Sequence, residues 1–111
     1  CVGTKWCGAG DIAKNYDDLG KERDTDMCCR DHDHSTDSIA PFETKNGVTN
    51  FMIYTMTNCQ DDCEFYDCLL NASSLASDAV GTIFFDTLGT NCFAYGYPEK
   101  CVRYNVYVGM L

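Results

Sequence analysis

The sequence predicts a mainly α, disulfide-rich fold. It has three helices, two of them antiparallel and carrying the site, an N-terminal loop and a small β-ribbon. Three observations predict it. Nine cysteines fall in 111 residues, the density of a disulfide scaffold in an oxidising compartment. Residues 25–35 and 59–72 read as helices, each with a cysteine through which it could be tied to the other. Only residues 48–57 are β-branched and aromatic with rough alternation.

Each element has a local reason. Residues 1–23 are glycine-rich, with "GTKWCGAGD" at 3–11, and read as a loop. Asp24 and Thr25 give an N-cap signal, and "DTDMCCRDHDHS" runs on without glycine or proline, so a helix is expected over 25–35. Acidic residues in its first turn suit the helix dipole. Residues 36–47 are polar, with Pro41 and an Asn46-Gly47 turn signal, and 48–57 read as a strand pair or extended ribbon. Asn58 is the next N-cap. Asp62, Phe65, Tyr66 and Leu69 follow helical spacing, giving a helix over 59–72 with Asp62 in line with the inward stripe. A third helix fits 74–88 and ends at Gly89. "CVRYNVYV" at 101–108 reads as a strand.

No repeat or linker divides the chain, so residues 1–111 are expected to form a single domain. No apolar run approaches the roughly 18 to 20 residues of a membrane span. The formal net charge of −9 argues against nucleic acid as a partner and against a strongly anionic membrane. Calcium, a zwitterionic lipid surface or a basic protein all suit it. The chain begins at Cys1 and is read as a mature, processed chain, secreted and extracellular. Nine is odd, so at least one thiol is free or bonded to another chain.

The stretch "CCRDHDHS", residues 28–35, concentrates the chemistry. On a helix, residues four apart share a face, so Cys28 precedes His32 by a turn and Cys29 precedes Asp33. If Cys7 of "WCGAG" joined Cys29, its loop carbonyls would face the Asp33 carboxylate. Carbonyls and a carboxylate make the hard oxygen site that Ca²⁺ prefers. If Cys68 joined Cys28, Asp62 would approach His32. A histidine oriented by a buried carboxylate is a general base. No serine or cysteine nucleophile stands in a matching motif, so the base would act on water. A Ca²⁺ ion beside it would polarise a carbonyl, and a glycine N–H could help hold the oxyanion. Together the parts describe calcium-dependent ester hydrolysis. Each has a blander reading: "WCGAG" as a tight turn, Trp6 and His32 as packing residues. A transition metal held by both histidines is disfavoured, because His32 and His34 diverge on a helix, and His34 is read as a solvated bystander.

"WCGAG" followed by "CCRDHD" and "NCQDDCEFYDC" resembles the secreted phospholipase A2 enzymes of the bee-venom type (group III). "GVTN" at 47–50, "VGTIFFDTLGTNC" at 80–92 and "CVRY" at 101–104 extend the likeness from Gly3 to about Tyr104. The resemblance implies cleavage of glycerophospholipids at the sn-2 ester on a phospholipid membrane surface. The N-terminal loop becomes a calcium loop. The carbonyls of Trp6, Gly8 and Gly10 and the side chain of Asp33 would bind Ca²⁺. His32 would activate water, Asp62 rather than Asp61 would orient it, and the Gly8 amide would help hold the oxyanion. Disulfides Cys7–Cys29, Cys28–Cys68 and Cys59–Cys92 are implied.

The departures from the family are specific. The pattern continues "HDxC", but here Ser35 replaces that cysteine, and its usual partner falls at Asp61. Both ends of one family disulfide are therefore absent together. Cys1, Cys63 and Cys101 are left over, and a disulfide-linked second chain through one of them is consistent with relatives that carry one. Phe84 stands where the family has a tyrosine bonded to the helix aspartate. Asn71-Ala72-Ser73 is a glycosylation sequon. Leu75 and Ala79 of the third helix face either lipid or core. Two functions stay in view: the calcium-dependent enzyme, and a weakly active or inactive phospholipase-like toxin subunit or binding protein acting through a linked partner or a receptor.

Overall fold

Two disulfides leaving adjacent residues of one helix organise the chain. The computed structural model describes residues 3–8, 11–89 and 91–94. Helix α1 spans Arg23–Asp33, α2 Cys59–Ala72 and α3 Leu75–Gly81. Cys29 is bonded to Cys7 of the N-terminal loop, and Cys28 to Cys68 of α2. Cys28 meets Cys68 while His32 meets Asp62, so sequence numbers rise along α1 as they fall along α2. The two helices are antiparallel.

Helix α2 has the predicted limits, and the Asn58 side chain accepts from the Gln60 amide as its cap. Its buried residues include Asp62, Phe65 and Leu69. Phe65 and Leu69, with Trp6, Val80, Phe85 and the two α1 cysteines, form the main core. Leu69 is wholly buried, and truncating such a residue to alanine typically costs about 2–5 kcal/mol.

Helix α1 departs from expectation at both ends. It starts at Arg23, with no side-chain cap from its N-cap residue Glu22, and ends at Asp33. The reason at the N-terminal end is that the loop takes up the acidic side chain. Asp26, fully buried, accepts from the backbone amides of Lys5, Trp6 and Gly20. Asp24 stays exposed in the first turn, where its charge suits the dipole. At the far end Ser35 leaves the helix to donate to a different partner, described below.

A second, smaller core lies under a three-stranded sheet of β1 (Ser38–Ile39), β4 (Met56–Asn58) and β5 (Cys92–Phe93), ordered β1-β4-β5. β1 and β4 are antiparallel, with Ile39 opposite Met56. β4 and β5 are parallel, with Asn58 opposite Phe93. Ile39, Met56 and Phe93 pack together, and Cys59–Cys92 fastens β5 to the start of α2. Cys63 is disulfide-bonded as well.

β2 (Thr44–Lys45) and β3 (Val48–Thr49) form the small ribbon. Asn46 and Gly47 turn it, at φ 52° and 79°, as the Asn-Gly signal predicts. The expected strand over 48–57 is interrupted. Asn50 is wholly buried, and its side-chain amide donates to the carbonyls of Ile39 and Tyr54. Its Oδ1 accepts from the Met52 amide. That network folds residues 51–54 out of the ladder, and Ile53 and Tyr54 line the cleft described next.

The third helix follows the expected path but changes its winding. The Ser74–Ser77 capping box starts α3, and from Thr82 to Thr87 the chain continues as a π-helix. Phe85 packs into the core while Phe84 reaches towards α1 and α2. The sequon residue Asn71 is exposed in the last turn of α2. The expected strand at 101–108, and the pairing of Cys1 and Cys101, lie outside the described residues.

Asp26→Asn tests how the loop is held. Both Asp26 oxygens accept backbone N–H groups, so an amide nitrogen must face a donor. Thermal unfolding should show a loss of about 2–3 kcal/mol, the scale of a buried polar group left unpaired, and an unchanged melting curve would refute this account.

Candidate active site

One cleft of about 790 Å³ gathers most of the residues singled out from the sequence. Trp6, Gly8, His32 and Asp33 line it, and Asp62 stands behind His32. Gly10 lies outside the described residues.

The two helices build the dyad. His32 Nε2 lies 2.5 Å from Asp62 Oδ1, and the Asp62 side chain is 1% exposed. A carboxylate can only accept, so Nε2 carries the proton in this bond and Nδ1 is left as the basic nitrogen. Aromatic rings fix the imidazole plane. Phe65 stacks on it at 4.3 Å and Phe84 presents an edge at 5.1 Å. Phe84 thus keeps the packing role of a tyrosine at that position and brings no hydroxyl.

Asp33 has a contrasting environment. It is the last residue of α1, at the negative end of the helix dipole. Desolvation pushes its pKa up from 3.8 to about 6, and the nearby Asp11 charge adds to the rise. Among the described residues its carboxylate makes no hydrogen bond or ion pair. An oxygen donor in so negative a place favours a cation.

The loop beside it is held from several directions. Besides the Asp26 bonds and Cys7–Cys29, the Trp6 indole donates to the Asp18 carbonyl at 3.0 Å. Gly8 has φ +153° and would meet nothing if it carried a Cβ, so the backbone angle itself calls for glycine there.

Three roles went unread in the sequence. Asp26 seemed to be a dipole residue. Its position three before Cys29, on the face tied to Cys7, was the signal that it serves the loop. His34 is exposed but not a bystander. Its Nδ1 donates to the Arg30 carbonyl at 2.8 Å, and its ring packs on Trp6 at 5.3 Å and Tyr16 at 5.1 Å. Ser35 Oγ donates to Asp61 Oδ2, so the two positions where the resemblance implies a disulfide are joined by a hydrogen bond. Such a bond to a charged group contributes about 1.5–3 kcal/mol.

The cleft mouth is apolar. Ile53, Ile83 and Leu88 line it and are exposed. Phe42 and Phe51 stand exposed nearby in sequence, at 66% and 80%. Leu75 and Ala79 are also exposed but do not line the cleft.

Known proteins are similar to this chain in sequence. A phospholipase A2 family model matches residues 1–96. Acidic phospholipase A2 PA4 of Heloderma suspectum is 46% identical over 103 residues, 93% of this chain and 72% of that protein. A phospholipase A2 of Xylocopa appendiculata circumvolans is 46% identical over 102 residues, 92% of this chain and 57% of its own length. The human group 3 secretory phospholipase A2 is 39% identical over 102 residues, 92% of this chain but 20% of its own. The chain belongs to the phospholipase A2 family of enzymes, alongside its bee and group 3 secretory members.

Asp33 gives a prediction that needs no ligand. Its folded pKa lies above its unfolded value, so its stabilising contribution is fully present below pH 3.8 and is lost as pH rises through about 6. Asp33→Asn mimics the protonated form. In metal-free buffer it should melt above the parent protein at pH 7, and the two melting temperatures should converge below pH 3.8. Parallel profiles would refute the assignment.

Proposed function

We propose that this chain is a secreted, calcium-dependent phospholipase A2 that hydrolyses the sn-2 ester of glycerophospholipids at a lipid surface. The observation that carries the reading is the 2.5 Å His32–Asp62 contact at the wall of an apolar-mouthed cleft. The chain spans 72% of the Heloderma relative and 57% of the Xylocopa relative.

His32 acts on water. Nδ1 accepts a proton as the water oxygen attacks the ester carbonyl, and Asp62 stabilises the imidazolium that forms. As the tetrahedral intermediate collapses, His32 returns the proton to the departing lysophospholipid oxygen. The Gly8 amide donates to the oxyanion. Phe65 and Phe84 hold the imidazole plane, so little reorientation is needed during the reaction.

The donor set fits a hard cation. Asp33 supplies a carboxylate with no other partner among the described residues, and the loop supplies oxygens. Trp6, Gly8 and Gly10 through their carbonyls, and Asp33 through its side chain, would hold Ca²⁺, whose charge when bound polarises the ester carbonyl and stabilises the oxyanion. Among the described residues no three histidine, cysteine or carboxylate side chains cluster as metal ligands, and a site built on backbone carbonyls needs only the one carboxylate.

Lipid reaches the cleft through its apolar mouth. Among the described residues no helix is long and apolar enough to cross a membrane. Ile53, Ile83 and Leu88 instead offer apolar contact at the rim, and the −9 net charge favours a zwitterionic surface over an anionic one.

Fatty-acid release from phosphatidylcholine vesicles, with calcium and with chelator, tests the reading. Release should require calcium, and His32→Gln should lower it by about 10²–10⁴-fold, the span ascribed to a general base. Calcium-independent release, or full activity in the variant, would overturn it. Phe51→Ser tests separately whether this exposed aromatic, two residues before Ile53, takes part in docking: vesicle partitioning should weaken severalfold, with hydrolysis of a monomeric short-chain phosphatidylcholine preserved. Unchanged partitioning would remove Phe51 from the docking surface.

A further inference from the structure

Besides the His32–Asp62 bond, α1 and α2 are joined by ties near opposite ends of their shared face. Cys28–Cys68 is the covalent one, with Cα atoms 5.7 Å apart. The other is Ser35 Oγ donating to Asp61 Oδ2. The His32–Asp62 contact lies close to this second tie. Asp61 precedes Asp62 in the first turn of α2, and the Ser35 amide donates to the carbonyl of His32 itself at 3.1 Å. Movement of Ser35 therefore acts on the His32 peptide, and movement of Asp61 acts on the Asp62 backbone.

We propose that Ser35 and Asp61 are positioning residues for the His32–Asp62 pair, a hydrogen-bonded latch where the family resemblance places a disulfide. The inference rests on the phospholipase A2 reading of the dyad. Neither residue exchanges protons with substrate. They act by setting the separation of the two helices at the end where the dyad sits.

Three features make the latch specific. Ser35 lies just past the C-terminal end of α1, after the C-cap His34, where the helical ladder no longer constrains it. Its hydroxyl is oriented from a second side by the Asp37 amide, 3.4 Å away. Asp61 sits in the first turn of α2, next to Asp62, so the bond it accepts bears directly on the dyad's end of the helix. A catalytic pair is also sensitive to small displacement, since a misplacement of about 1 Å can cost on the order of 100-fold in rate.

The test compares Ser35→Ala, Asp61→Ala, the double variant Ser35→Cys/Asp61→Cys, and Thr25→Val. Thr25 is buried at the other end of α1, with its hydroxyl 3.2 Å from Ser74, so that variant controls for lost stability. The readouts are kcat and KM on a monomeric short-chain phosphatidylcholine at saturating calcium. The downfield proton signal of the His32 Nε2–H is recorded in parallel, and all measurements are made well below the melting transition. Ser35→Ala and Asp61→Ala should lower kcat by roughly 5- to 50-fold with KM nearly unchanged, and should broaden the His32 signal. Thr25→Val should melt earlier without either change. The double cysteine variant, with its added disulfide verified by mass, should restore both kcat and the signal.

Unchanged kcat and an unchanged His32 signal in both alanine variants would overturn the latch. So would a bonded double cysteine variant no better than they are. If the parent protein hydrolyses nothing while the His32 signal still responds to the latch, the phospholipase reading falls and the positioning role stands.

Discussion

Adjacent residues on an α-helix point about 100° apart, so Cys28 and Cys29 cannot serve the same neighbour. One takes α2 and the other takes the N-terminal loop, and hydrogen bonds of Asp26 and Ser35 add to what those two bonds place. One turn further on, His32 and Asp33 inherit the same two directions. His32 faces the carboxylate of α2, and Asp33 lines the cleft together with Trp6 and Gly8 of the loop. The spacing of four residues between anchor and functional group turns a pair of crosslinks into a pair of sites.

Environment then separates three carboxylates that look alike in sequence. Asp26 is buried and spends its charge on backbone amides of the loop. Asp62 is buried and bonds the His32 ring. Asp33 is only partly desolvated, at the cleft beside another acid, and has its pKa lifted. In the proposed chemistry the first holds the loop, the second orients a base, and the third takes a cation. A net charge of −9 alone could not have sorted them.

Much of this was legible because it follows from local rules. The bounds of α2 follow from a cap at Asn58 and a 3.6-residue stripe, and the Asn46-Gly47 turn needs only the backbone freedom of its residues. The dyad was legible because spacing on two helices and their crosslink imply the contact. What escaped depends on tertiary partners. Asp26 looked like an ordinary first-turn acid until the loop supplied its donors. Asn50 was hidden inside a plausible strand, because its role is to bond carbonyls distant from it in the ladder. The π-helix after Gly81 has no periodic signature that separates it from the helix before it. Ser35 and Asp61 were legible as a missing disulfide but not as a hydrogen bond, since only the fold brings their side chains together.

The central claim is that Asp62 holds His32 with Nε2 protonated, leaving Nδ1 as the base that faces the cleft. Ring-nitrogen NMR of histidine-labelled protein at neutral pH addresses it most directly. The account predicts that His32 shows a protonated Nε2 and an unprotonated Nδ1, and that Asp62→Ala abolishes this preference. A His32 ring protonated at Nδ1 alone in the native protein would contradict it.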